Sequence, residues 1–302
     1  MLKQLLIIAV IFLVIDKVPV RAQTSILSGP HAYLDQPLPG DTPRRFLPPH
    51  LTDTGYFVLG RVAFSPDGTE FYYGANNAWY SNEHQILSYY RFENGSWTGP
   101  RLLLERYSAP TFSTDGRTLY VTNNKGIQQM QRTDTGWAAP SPYLNRSYAL
   151  YNFMPTLSGR SYVGSNGTWG PRNDYSSWKF SVLPADLADT SIRSLGEPLN
   201  APGFNGDFYI APDESYIIIS AQETKSFECE LWISFRKKDN TWTTPQSLGP
   251  AVNEGLAHRF GQYVTPDGKF LFYTKGTSEK DCALYWVRFD KLLTRLRRAA
   301  RQ

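Results

Sequence analysis

One short stretch, FSPDGTEFYYG at Phe64–Gly74, returns along the chain. FSTDGRTLYV begins at Phe112, IAPDESYIII at Ile210 and VTPDGKFLFY at Val264, with a degraded copy, PTLSGRSYVG, at Pro155. Aligned on the Asp of Pro-Asp-Gly, the register positions are Asp67, Asp115, Ser158, Asp213 and Asp267, spaced by 48, 43, 55 and 54 residues. In such a turn Pro presets φ, Asp accepts backbone hydrogen bonds and Gly takes the left-handed position. A hairpin turn recurring at this period predicts a β-propeller with one four-stranded blade per repeat.

Each repeat has the same internal order. A short apolar strand leads into the turn, and a second apolar strand follows it, as at Phe71–Tyr73 and Phe270–Tyr273. A third comes after a variable loop, for example ILSYY from Ile86 and LWISF from Leu231. Three repeats then reach Trp-x-x-Pro, ending at Pro100, Pro140 and Pro245. The residues after that Pro are predicted to form the outer strand, where Pro is tolerated. The last repeat stops after its third strand. GDTPRRFLPPHL at Gly40–Leu51 parallels WTTPQSLGPAVN at Trp242–Asn253. Thr42–Phe46 is therefore expected to complete the last blade and remove its open edge. The fold class expected is all-β: five blades, with a sixth left open by the irregular Gly164–Leu199 stretch. Two turns depart from the pattern, because the third reads Leu-Ser-Gly and the fourth has Glu214 where the others have Gly.

The ends of the chain differ from its body. Lys3, the apolar run Leu5–Ile15 and the small-residue motif Val20–Ala22 read as a secretory signal peptide over residues 1–22, with Gln23 as the mature start. An apolar run of eleven residues is too short to span about 30 Å of hydrocarbon as a helix. Residues 290–302, DKLLTRLRRAARQ, carry a net charge of +4, while residues 23–289 carry a net −2. The near-neutral body holds no nucleic-acid stripe. The basic tail reads as a solvated helix with Leu292, Leu293 and Leu296 on one face, or as a contact for an acidic surface. The domain organisation expected is a signal peptide (1–22), one propeller (23–289) and a basic tail (290–302).

The motifs FSPDGTEFYY, APDESYIII, LWISFRKKDNTWTTPQSLGPAVN and VTPDGKFLFYTKG resemble the WD40-like, TolB-type propeller repeats of exported bacterial single-propeller proteins. YLDQPLPGDTPRRF, Tyr33–Phe46, resembles the lead-in of those proteins. The resemblance covers about Tyr33 to Val287. It implies the fold but no activity, since the recurring residues are turn and core residues.

Catalytic motifs are sparse. Gly-x-Ser-x-Gly is absent, as are HExxH and CxxC, and the four histidines are isolated in sequence. No cofactor is expected. Loops such as KDN and SEKD carry carboxylates, read as turn formers before calcium ligands. Paired carboxylates for glycoside chemistry would come from different blades, so spacing cannot find them. The propeller itself suggests a site. Six positions before each register residue stand Arg61, Ala109, Asn152, Asp207 and Gly261, with Arg259 and Gln262 nearby. Arg61, Asn152, Asp207, Arg259 and Gln262 are the candidate ligand-binding set, a mixed polar group suited to a sugar or a peptide. Loop aromatics Trp79, Tyr80 and Trp169 form a second candidate. Cys229 and Cys282 occupy equivalent positions in adjacent blades, beyond the roughly 7 Å Cα limit for bridging. Their adjoining loops nevertheless leave a disulfide open. The function expected is a monomeric, periplasmic or secreted binding module for an envelope protein or an extracellular glycan, with no transmembrane segment after signal cleavage. The alternative is a carbohydrate-active enzyme, a glycosidase or lyase acting at the channel mouth.

Overall fold

A computed structural model describes residues 25–52, 55–79, 83–171, 175–204, 206–221 and 228–300. The predicted signal peptide lies outside the described residues. Five antiparallel sheets form a ring. Blade I comprises Phe57–Phe64, Glu70–Asn76, Ile86–Glu93 and Ser96–Glu105; blade II comprises Ser108–Phe112, Thr118–Asn123, Gly126–Thr133 and Ser141–Leu144. Blade III comprises Leu150–Pro155, Ser161–Ser165, Lys179–Leu183 and Arg193–Ser194; blade IV comprises Phe208–Ile210, Tyr216–Ser220, Leu231–Phe235 and Gln246–Ser247. Blade V has His258–Val264, Phe270–Gly276 and Ala283–Arg288, with Arg44–Arg45 as its outer strand. Each inner strand contacts its neighbours on both sides, and the ring closes between blades V and I. The Gly164–Leu199 stretch holds the last two strands of blade III, so the count is five.

Closure follows the sequence parallel. Arg44 pairs with Trp286 and Arg45 with Tyr285, and the Phe46 N–H donates to the Leu284 carbonyl at 2.8 Å. Phe46 is buried against Phe272 and Trp286, with ring centroids 5.0 and 5.2 Å away. One expectation needs correcting. In blades II and IV the outer strand starts just after the Pro, but in blade I Trp97 and Pro100 lie inside Ser96–Glu105. A register slip between Tyr89 and Arg91 places an extra outer-strand residue there, and a bulge tolerates a Pro that has no N–H to give the ladder.

The core is built between blades. One apolar cluster joins Ile127, Leu144, Leu150 and Val163 across blades II and III. Another joins Tyr72, Leu87, Leu119 and Met130 across blades I and II. The largest spans blades I, III, IV and V together with the N-terminal segment. That segment lies against the face that carries the Pro-Asp-Gly turns. Tyr33 is buried there, and its hydroxyl donates to Asp267 Oδ2 at 2.6 Å.

The two irregular turns complete each other. In blade I, Asp67 Oδ1 accepts from Ser65 Oγ at 2.6 Å and from the Thr69 N–H at 3.0 Å. Blade III has Ser158 in place of that Asp. Glu214 reaches over from blade IV and accepts from Thr156 Oγ1 at 2.7 Å, from Arg160 Nη1 at 3.0 Å, and from Ser158 Oγ and Arg236 Nη1. Glu214 itself stands at φ 59°. A left-handed non-glycine residue costs about 1–2 kcal/mol; four charge-assisted contacts on a buried carboxylate offset it.

Candidate functional site

The inner strands are not regular. In blades I, II, III and V the pairing of first and second strands slips, and Gly60, Ala109, Asn152 and Gly261 stand there at positive φ. A bulge re-aims side chains and peptide groups, here toward the ring axis. Gly261 is also held by contact: a Cβ there would collide with the backbone of Gly60 in blade I. In blade IV, Asp207 precedes the inner strand, on the face opposite the Pro-Asp-Gly turns.

Asp207 is the hub of the predicted set. Asn152 Nδ2 donates to its Oδ1 at 2.6 Å, and the Gly261 N–H donates to its Oδ2 at 2.8 Å. Its main-chain carbonyl accepts from Gln262 Nε2 at 2.6 Å. Three blades therefore meet at one half-buried carboxylate. Arg61 closes the axis from blade I. Its guanidinium donates to Thr111 Oγ1 at 2.9 Å, to the Phe153 carbonyl at 3.2 Å and to the Phe208 carbonyl at 3.1 Å. These partners belong to blades II, III and IV, so one side chain ties four blades. Burial pushes the guanidinium down to about 10, opposed by the nearby Asp207 charge, and it stays charged at neutral pH.

The structure does not bring Arg259 into this group. It is buried and donates to the carbonyls of Val252, Glu254, Gly255, Ala257 and Cys229, at 2.5 to 3.3 Å. It organises the loop that enters blade V, and no spacing rule distinguishes that role from a channel role. Residue-type reasoning also passed over Tyr151 and Ser220. The Tyr151 hydroxyl donates to the Gly206 carbonyl at 3.2 Å, and its ring stacks on Trp178 at 4.3 Å. Ser220 Oγ donates to Gln262 Oε1 at 3.3 Å.

The loop aromatics separate. Trp169 is 41% exposed, with Lys179 Nζ 5.8 Å from its ring. Trp79 packs on His258 with centroids 5.3 Å apart, and its indole N–H donates to Cys282 Sγ at 3.2 Å. Tyr80 lies outside the described residues. Cys229 and Cys282 stand as free thiols, each with its own partners. Cys229 donates to the Arg259 carbonyl at 2.9 Å, and Trp79 engages Cys282. Burial pushes the Cys282 thiol up to about 12. Asp239 and Asp281 close their own loops. Asp239 accepts from the Thr241 N–H at 3.0 Å, and Asp281 from Thr277 Oγ1 at 2.6 Å. Among the described residues, no group of three or more His, Cys, Asp or Glu is arranged to hold a metal ion.

A polar cleft of about 680 Å³ opens on the turn face between blades I and II, lined by Asp67, Glu70, Arg91, Glu93, Asp115 and Arg132. Arg132 grips Glu70 with both nitrogens, at 2.8 and 2.7 Å. The central charges of this cleft are thus spent on each other across the blade boundary.

No protein-family model matches the sequence, and no curated protein matches it. Solved structures similar to the chain include TolB and other propeller proteins. Hydrazine synthase of Kuenenia stuttgartiensis is 13% identical with a TM-score of 0.46, over 83% of this chain and 82% of that one. TolB of Acinetobacter baumannii is 14% identical with a TM-score of 0.43, over 75% of this chain and 53% of that one. This chain thus spans about half the length of that TolB. XC5397 of Xanthomonas campestris, a gluconolactonase, is 12% identical with a TM-score of 0.47, over 84% and 98% of the two chains. At these identities the likeness concerns the fold.

Proposed function

We propose that the protein is an exported, monomeric, non-catalytic binding propeller. It acts in the periplasm or outside the cell, and takes a glycan or a segment of an envelope protein at the mouth of its axis. The observation that carries this reading is the half-buried Asp207 carboxylate, held from two sides by Asn152 Nδ2 and the Gly261 N–H. A carboxylate fixed in this way is ready to accept from a hydroxyl or an amide of a ligand without reorganising. Arg61 closes the axis beneath it, so the ligand is held at the surface. Glycoside hydrolysis needs a second carboxylate about 5–9.5 Å away. In this hydrogen-bonded set Asp207 is the only one, which favours binding over cleavage.

The test is a thermal-shift and calorimetric screen of the purified protein against soluble oligosaccharides. A bound glycan at a hundred times its Kd adds roughly 2.7 kcal/mol of stability. Asp207→Asn should weaken that binding at least tenfold. If no oligosaccharide raises the melting temperature, glycan recognition is wrong and the envelope-protein partner is the reading to pursue. Release of reducing sugar from any of them would overturn the non-catalytic assignment.

A further inference from the structure

The C-terminal helix, Asp290–Ala299, has two separate faces. Leu292 is buried, and Leu293 and Leu296 pack on the propeller core. Gln246 Nε2 donates to the Leu296 carbonyl at 2.9 Å, Arg297 Nη2 donates to Ser215 Oγ at 3.1 Å, and the Arg297 guanidinium lies 5.5 Å from the Phe235 ring. These contacts fix the helix across blades IV and V on the turn face. The opposite face carries Lys291, Arg295 and Arg298, all exposed. They stand at i, i+4 and i+7, so they form one stripe about 10 Å long. Asp290 is the only acid on the helix, and it is paired with Arg288 at 2.6 and 2.8 Å. Exposed Lys237 and Lys238 follow Phe235, beside the site where Arg297 docks. The tail holds a net +4 while the propeller body is net negative.

We propose that this face docks the propeller onto an anionic phospholipid surface. The stripe offers repeated cations on the exposed, convex face of a helix. A plane of headgroup phosphates complements that pattern. The leucines are committed to the propeller, so the helix does not insert, and the contact is electrostatic and reversible. A basic residue near an anionic surface adds about fivefold to binding, and the effect is screened within about 10 Å at 0.1 M salt. The biological setting rests on export, but the docking itself is tested without it.

The experiment is co-sedimentation of the purified protein with vesicles of pure phosphatidylcholine or of phosphatidylcholine with 30 mol% phosphatidylglycerol, a composition chosen to give a surface potential of about the cytoplasmic-leaflet size. Partition onto the anionic vesicles should be on the order of a hundredfold stronger and should vanish at 0.5 M NaCl, where the Debye length falls to a few ångströms. The Lys291→Glu, Arg295→Glu, Arg298→Glu variant should lose that preference and keep its melting temperature, since the three side chains are exposed. If that variant does not fold, Lys291→Gln with Arg298→Gln should still weaken partition at least tenfold. Equal partition onto both vesicles, or variants that bind like the wild type, overturns the proposal. So does retention by heparin or DNA with no vesicle binding, which would make the face a polyanion site of another kind.

Discussion

Arg61 and Glu214 each carry interactions that join blades rather than strands. Arg61 spends its hydrogen bonds on blades II, III and IV. Arg61→Met keeps the bulk but leaves the Phe153 and Phe208 carbonyls without these donors. We expect a loss of about 3–5 kcal/mol, the range for breaking a buried charged network, read as a lower midpoint in urea denaturation. Glu214 sets a pH dependence. Burial opposes its ionisation, but hydrogen bonds from Ser158, Thr156 and Arg236 outweigh that and hold its pKa below the usual carboxylate value. The carboxylate therefore stabilises the fold fully above the unfolded pKa of about 4.3, and that contribution is lost as pH falls through the lower folded value. Wild type should lose stability on acidification below about pH 4.5. Glu214→Gln should be less stable than wild type at pH 7 and show a shallower loss between pH 5 and 3. A parallel pair of melting curves across that range would sink the assignment.

At the scale of the element, the hairpin turns and inner strands were legible because their chemistry is local. Asp67, Asp115 and Asp267 each close their own turn through neighbouring hydroxyl and amide groups. The closing strand was legible because Thr42–Phe46 copies the outer-strand pattern of another blade. The thiols were not legible, since Cys229 and Cys282 find their partners through loops that no repeat dictates. Arg259 was misplaced for a related reason. It sits two residues before Gly261 in sequence, but its side chain turns back onto the Val252–Ala257 loop. Register locates a backbone position, and the direction of a long side chain depends on what surrounds it. At the mouth, Asn152 and Gln262 sit at backbone bulges, and Asp207 stands at the entry of its own inner strand, so the backbone itself brings the three together. Phe46 offers the test at this scale. It is buried between blades V and I, so Phe46→Ala should cost about 3–5 kcal/mol. A loss below 1 kcal/mol in urea unfolding would show that the closing strand adds little.

For the whole molecule, the ring is completed by a strand about 240 residues distant in sequence from its partner, with Arg44 paired to Trp286 and Arg45 to Tyr285. Blade V is therefore the one blade assembled from two ends of the chain. Every other outer strand follows the third strand within its own repeat. Without Arg44–Phe46, the strand Ala283–Arg288 keeps its inner ladder but presents an unpaired edge to solvent. An exposed edge recruits another strand, and here the available strand is the same edge of a second copy. A chain starting at Leu47 would also lose Tyr33, whose hydroxyl bonds Asp267 and whose ring packs on Phe270 at 4.8 Å. We predict that the chain from Gln23 runs as a monomer in size-exclusion chromatography with light scattering, and that the chain from Leu47 forms dimers and larger species. Adding back a peptide of residues 25–46 should return the truncated protein toward the monomer, because it restores the missing strand. A truncated chain that remains monomeric and equally stable would mean that the ring holds through its inner strands and Arg61 alone, leaving the N-terminal segment as a cover over the turn face.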